Sequence, residues 1–153
     1  MKKFIAALGL ASLLIPTLVL AATFRSNDNV ATNETIEGNL YLGGSKVVMA
    51  GNVTGDLIIG GGNVDVTGNV GGDLAAAGGT VIVSGKVNGD VRVLAGDFTL
   101  DNEVNGEVVA LGGTINLGMH AVIHGDLISS GGTVNIDPAT KIDGKKITIW
   151  VND

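Results

Sequence analysis

The chain has 153 residues, with 25 glycines, 2 prolines, no cysteine, 3% aromatic residues and a formal charge of −6. One domain fits that length. The missing cysteines exclude disulfides, thiolate metal sites and cysteine nucleophiles, and the acidic balance gives no basic patch to neutralise a nucleic acid. Hydrophobic residues still make up 45% of the chain, so any core is built from Val, Ile, Leu and Ala rather than from rings. High glycine with low proline excludes collagen and proline-rich disorder.

Residues 1–21 read as a secretory signal peptide. Lys2 and Lys3 precede an apolar run from Phe4 to Leu20, and Val19-Leu20-Ala21 before Ala22 places small or apolar residues at a cleavage site. An uncleaved membrane anchor is the alternative, since the run approaches a spanning length, and Pro16 favours the cleaved form. Either way the rest of the chain is exported: to the periplasm, cell surface or extracellular space, or membrane-anchored where the leader stays. Residues 22–33, polar and without an apolar period, read as a flexible linker.

From residue 34 to 153 one unit repeats. ETIEGNLYLGGSKVVMA begins at Glu34, GNVTGDLIIGGGNVDVT at Gly51 and GNVGGDLAAAGGTVIVS at Gly68. GKVNGDVRVLAGDFTLD follows from Gly85 and NEVNGEVVALGGTINLG from Asn102, so five units of 17 residues run without a gap. Met119 and His120 are inserted before AVIHGDLISSGGTVNID, and Pro138 and Ala139 before a final partial unit. Two-residue insertions at one corner are what a solenoid tolerates in its loops.

The third position is Ile36, Val53, Val70, Val87, Val104, Ile123 and Ile142, and the fifth is Gly38, Gly55, Gly72, Gly89, Gly106, Gly125 and Gly144. Apolar residues alternate at positions seven and nine, then at fourteen and sixteen, as in strands with one buried face. Glycine pairs at eleven and twelve divide the runs, and the fifth-position glycines mark another corner. The expected fold is all-β: a parallel β-helix solenoid of about six to seven coils, each of three short strands. No helix is expected after the leader.

Chemistry is sparse. Asn39, Asp56, Asp73, Asp90, Glu107 and Asp126 share the sixth position. A ladder of Ca²⁺ sites there would need six to eight oxygens per ion, and the calcium β-roll motif is not matched. Corner carboxylates accepting backbone N–H groups are the favoured reading. His120 and His124, the two histidines, read as surface residues beside the first insertion. Ser84, Ser129 and Ser130 lack a nucleophile elbow, and no phosphate-binding loop or dinucleotide fingerprint is present. Outward acids such as Asp65 and Asp97 lack the long loops with which β-helix glycosidases build a cleft. No enzyme activity, cofactor or nucleotide is expected.

The repeat V-x-G-D-[LV]…G-G-x-V-x-[VIL], with Ile123-His124-Gly125-Asp126-Leu127 after an insertion, resembles that of the bactofilins, polymer-forming bacterial cytoskeletal proteins. The resemblance runs from Glu34 to about Ile149. It implies a right-handed β-helix that polymerises end to end without nucleotide. Bactofilins are typically cytoplasmic, so the leader shifts the implied role to the envelope. The rival hexapeptide-repeat acyltransferases keep a period of eighteen in six-residue steps, unlike this chain.

A solenoid leaves unpaired strand edges at both ends. Ile147, Ile149, Trp150 and Val151 form the most apolar stretch after the leader: either a last strand closing the core or an end that pairs with another copy. Lys141, Lys145 and Lys146 beside it read as gatekeepers. The expected function is a non-enzymatic structural protein whose copies assemble end to end at the cell envelope. The alternative is a monomeric secreted surface module, adhesin-like or binding a glycan or ion.

Overall fold

The computed structural model describes residues 23–27 and 29–149, and among them there is no helix. The leader expected at 1–21, and Trp150 and Val151, lie outside the described residues. Twelve strands are formed: β1 (Thr23–Ser26), β2 (Asn29–Thr32), β3 (Leu40–Met49), β4 (Leu57–Val66), β5 (Leu74–Val83), β6 (Val91–Leu100), β7 (Glu103–Val104), β8 (Val108–Leu117), β9 (Val122–Ile123), β10 (Leu127–Ile136), β11 (Lys141–Ile142) and β12 (Lys146–Ile149). All pairings are parallel. The long strands stack in the order β1-β3-β4-β5-β6-β8-β10-β12, with β2 beside β3, and a second sheet runs β11-β9-β7. The chain is the β-solenoid that its repeat predicts.

Register shows how the coil is closed. Leu40 pairs with Leu57 and Leu57 with Leu74, a step of one repeat. Val108 pairs with Leu127 and Leu127 with Lys146, so both insertions are absorbed with the columns kept in line. Each insertion is pinned by an aspartate. Asp101 accepts the backbone N–H of His120 at 2.9 Å, and Asp137 that of Ala139 at 2.8 Å.

Positions seven to sixteen form one ten-residue strand per coil, yet it cannot be straight. In β4, Leu57 and Ile59 are buried, then Val64 and Val66. The parity of burial switches between them, and a pleated strand with one buried face keeps its parity. Pairing also skips Ser45 against Gly62 and Gly62 against Gly79. The strand therefore turns a corner at position twelve. With the third-position bridges Ile36–Val53, Val53–Val70, Val70–Val87 and Val87–Val104, each coil has three sides. The side at position three is the shortest, a bridge in the early coils and two residues in β7, β9 and β11.

The core is the set of columns the repeat marks. Leu57, Leu74, Val91 and Val108 at position seven are fully buried, as are Val81, Phe98 and Ile115 at fourteen. Ala76 and Ala110 leave room at position nine. Each fully buried Val, Leu or Phe contributes about 1.5–3 kcal/mol of transfer free energy, offset by the entropy of ordering the chain.

The fifth-position glycines follow mostly from close approach. Only Gly38 among the described glycines has a positive φ, 88°. At Gly89 and at Gly106 an added Cβ would sit 2.7 Å from the carbonyl oxygen of the glycine one coil before. Coil stacking, rather than a left-handed turn, excludes a side chain at those corners.

The segment expected to be a linker instead starts the solenoid: β1 and β2 both pair with β3. Its polarity has a structural reason. Arg25, in register with Leu42 at position nine, reaches Thr32 Oγ1 at 3.3 Å and Glu34 at 3.5 Å. Thr32 is itself buried. The guanidinium thus lies across the first coil as a polar plug over the apolar stack, the kind of cap that an end coil needs.

Candidate functional site

The sixth-position column is a hydrogen-bond ladder. Asn39 Oδ1 accepts the N–H of Asp56 at 2.8 Å, Asp56 that of Asp73 at 2.9 Å, Asp73 that of Asp90 at 2.9 Å and Asp90 that of Glu107 at 3.0 Å. Asp126 accepts from Lys145 N–H at 2.8 Å. Asp56, Asp73, Asp90 and Asp126 are thus each engaged with the next coil's backbone, which gives the acidic column a structural role. Glu107 has an ion pair with Arg92 at 3.3 Å, and Arg92 reaches back to Asp90 at 3.1 Å. Among the described residues no group of three or more His, Asp or Glu side chains is placed to hold a metal ion.

The structure brings together residues that the sequence left apart. Lys86 Nζ lies 3.1 Å from Glu103, Glu103 Oε1 lies 3.0 Å from His124 Nε2, and His124 Nδ1 lies 2.6 Å from Asp143 Oδ2. This line of alternating charge crosses four successive coils. The two carboxylates raise the pKa of His124 above its ordinary value, Asp143 more than Glu103. Hydrogen bonds from His124 and then Lys86 lower that of Glu103. His120 sits apart, 3.1 Å from Asp101, whose pKa its hydrogen bonds lower.

When protonated, the His124 ring donates from both nitrogens, to Asp143 and to Glu103. The cluster is exposed, with the His124 side chain 43% accessible. Its chemistry is that of a clasp between coils. Ser129 is fully buried and shares a 3.2 Å hydrogen bond with Thr148, while Ser84 is exposed in another coil. Asp65 and Asp97 fall in different outward columns, fifteen and thirteen.

The two ends differ. At the N-terminal end Leu40 and Leu42 are buried, in register with Thr23 and Arg25 of β1. At the C-terminal end Val134, Ile136 and Ile142 are only partly buried, although their columns are closed in the interior coils. β12 covers Leu127–Ser130 of β10 and leaves Thr133–Ile136 without a described partner strand on that side. Ile147 and Ile149 are 43% and 50% exposed, and Lys141, Lys145 and Lys146 are exposed around them.

A comparison with protein-family models, with curated proteins and with solved structures finds no match to this chain.

Proposed function

We propose that this chain is a non-enzymatic structural protein of the cell envelope, exported by its leader, whose copies join end to end. One observation carries the reading: the last described strand leaves an open edge. Among the described residues β12 has no partner on its outer side, its Ile147 and Ile149 are exposed, and Val134, Ile136 and Ile142 are only partly buried. An open parallel-sheet edge over part-exposed apolar rows is a template for another strand. Charge favours the N-terminal end of a second copy as its partner. Three lysines surround the open end, whereas Glu34 and Glu37 stand at the first coil, with Arg25 bound to Glu34. Joining like ends would place lysine against lysine.

The test is Thr148→Arg, which gives the C-terminal end the plug that Arg25 gives the other. Sedimentation velocity of residues 22–153 should show large species that grow with concentration and shrink in the variant. Equal size distributions for the two chains would overturn end joining.

A second reading is favoured by the Arg25 plug itself and by Lys146 and Thr148, which make columns seven and nine polar in the last coil. These features suit a capped, monomeric surface module. A chain that stays one size at every concentration supports that reading instead.

A further inference from the structure

One face of the solenoid is apolar on its outer side as well as its inner side. Positions eight and ten point outward from the first half of each long strand. They carry Ile58, Leu94 and Leu111, which are 47%, 61% and 43% exposed. A shallow depression of about 380 Å³, lined by Ile58, Ala75, Ala77, Leu94 and Leu111 among others, lies in this face. The second long side carries Lys46, Asn63, Thr80, Asp97, Thr114 and Thr133 in its outward thirteenth column and is polar there.

The glycines on this face have no explanation within one molecule. An added Cβ would meet nothing within 4 Å at Gly43, and nothing nearer than 3.8 Å at Gly60. Neither has a positive φ. They contrast with the corner glycines, where the coil below forbids a side chain. A glycine that weakens a strand without serving its own fold marks the close approach of another surface.

The tenth column is ordered by size. It reads Ser26, Gly43, Gly60 and Ala77 in β1, β3, β4 and β5, then Leu94, Leu111, Ser130 and Ile149 in β6, β8, β10 and β12. A two-fold axis along the strand direction, between β5 and β6, sets each small residue opposite a bulkier one of a second copy. Ala77 then faces Leu94, Gly60 faces Leu111 and Gly43 faces Ser130. The same axis puts Ala75 opposite Arg92, whose charge Asp90 and Glu107 already satisfy. It lies near the middle of the stack, so the two rods overlap along their length.

We propose that this face is an isologous interface between two antiparallel copies of the chain, packed sheet on sheet, with Leu94 and Leu111 of each copy seated over Ala77 and Gly60 of the other. A two-fold contact must be self-complementary, and the small-to-large order of this column satisfies that requirement. Eight strands spaced about 4.8 Å apart and about five residues wide give roughly 600 Å² per copy, or about 1,200 Å² in the pair. That is the lower end of specific interfaces, which predicts a weak dimer.

The experiment uses residues 22–153 carrying Thr148→Arg, followed by sedimentation velocity and light scattering, with wild type alongside to resolve any end-joined species. A monomer–dimer equilibrium is expected. Ala77→Leu sets leucine against leucine and should weaken dimerisation by about tenfold or more, as should Leu94→Ala. The double swap, Ala77→Leu with Leu94→Ala, restores small against large and should recover much of the affinity. Both positions are exposed, so circular dichroism should show an unchanged fold. A chain that stays monomeric to about 1 mM overturns the interface. A dimer indifferent to either single change overturns the face. A swap no better than the singles overturns the antiparallel arrangement. These outcomes are separate from those of end joining, because the interface variants are compared with one another in the Thr148→Arg background.

Discussion

Two glycine-to-alanine changes should have opposite signs. At Gly89 a new Cβ would lie 2.7 Å from Gly72 O and 2.8 Å from Gly72 C, and would press on Asp73 Oδ1. Ordinary contact for such atoms is nearer about 3.5 Å, so the corner must open by roughly 0.7 Å. Through that corner run the hydrogen bonds Gly89 N to Gly72 O and Asp90 N to Asp73 Oδ1, both 2.9 Å. Stretching both by that amount forfeits them. One neutral and one charge-assisted bond together amount to about 3 kcal/mol. Gly43→Ala meets nothing, keeps an ordinary φ and restricts the unfolded chain, so it should stabilise by about 0.4–1 kcal/mol. Urea unfolding of the two variants at low concentration, followed by far-ultraviolet circular dichroism, measures the difference. For Gly89→Ala the melting temperature should fall on the order of 10 °C. Comparable effects of either sign at the two positions would refute the view that coil stacking selects the corner glycines.

Three further outcomes follow from the same geometry. His124, raised above its ordinary 6.5, contributes stability that is fully present below that pH and is lost as pH rises through the folded-state value. Glu103, lowered from 4.5, contributes stability present above that pH and lost as pH falls through its folded value, so the clasp is complete in the interval between. Protection factors for amide exchange in the last coil, taken relative to the intrinsic rate at each pH, should therefore be higher at pH 6 than at pH 8, and His124→Gln should remove that difference in protection. Phe98→Ala empties a fully buried site between Val81 and Ile115 and should cost about 3–5 kcal/mol in urea unfolding. Adding Ca²⁺ or a chelator should leave the melting curve unchanged, because the sixth-position carboxylates are already bonded to backbone N–H groups. A calcium-dependent rise in melting temperature would count against that ladder.

The fold was legible because each coil repeats the same side chains at the same corners, so one column of Val or Leu predicts the next. Strand boundaries were less so. Glycine at positions eleven and twelve looks like a break, yet glycine can hold strand pairing while the chain turns, and pairing continues through Gly61 and Gly78. β1 and β2 were hidden because an end coil has only one neighbour. It can turn Arg25 and Thr32 toward the core's end, which erases the apolar alternation that marks a strand. The clasp of Lys86, Glu103, His124 and Asp143 was hidden for another reason. Its members come from positions two and four, and reading columns singly does not bring them together. Gly43 and Gly60 looked like the other glycines until the space around them separated stacking from exposure.

Negative-stain microscopy of purified residues 22–153 across a concentration series tests end-to-end assembly most directly. Filaments that lengthen with concentration in plain buffer, without nucleotide, are the predicted result. Uniform short particles at every concentration would contradict it.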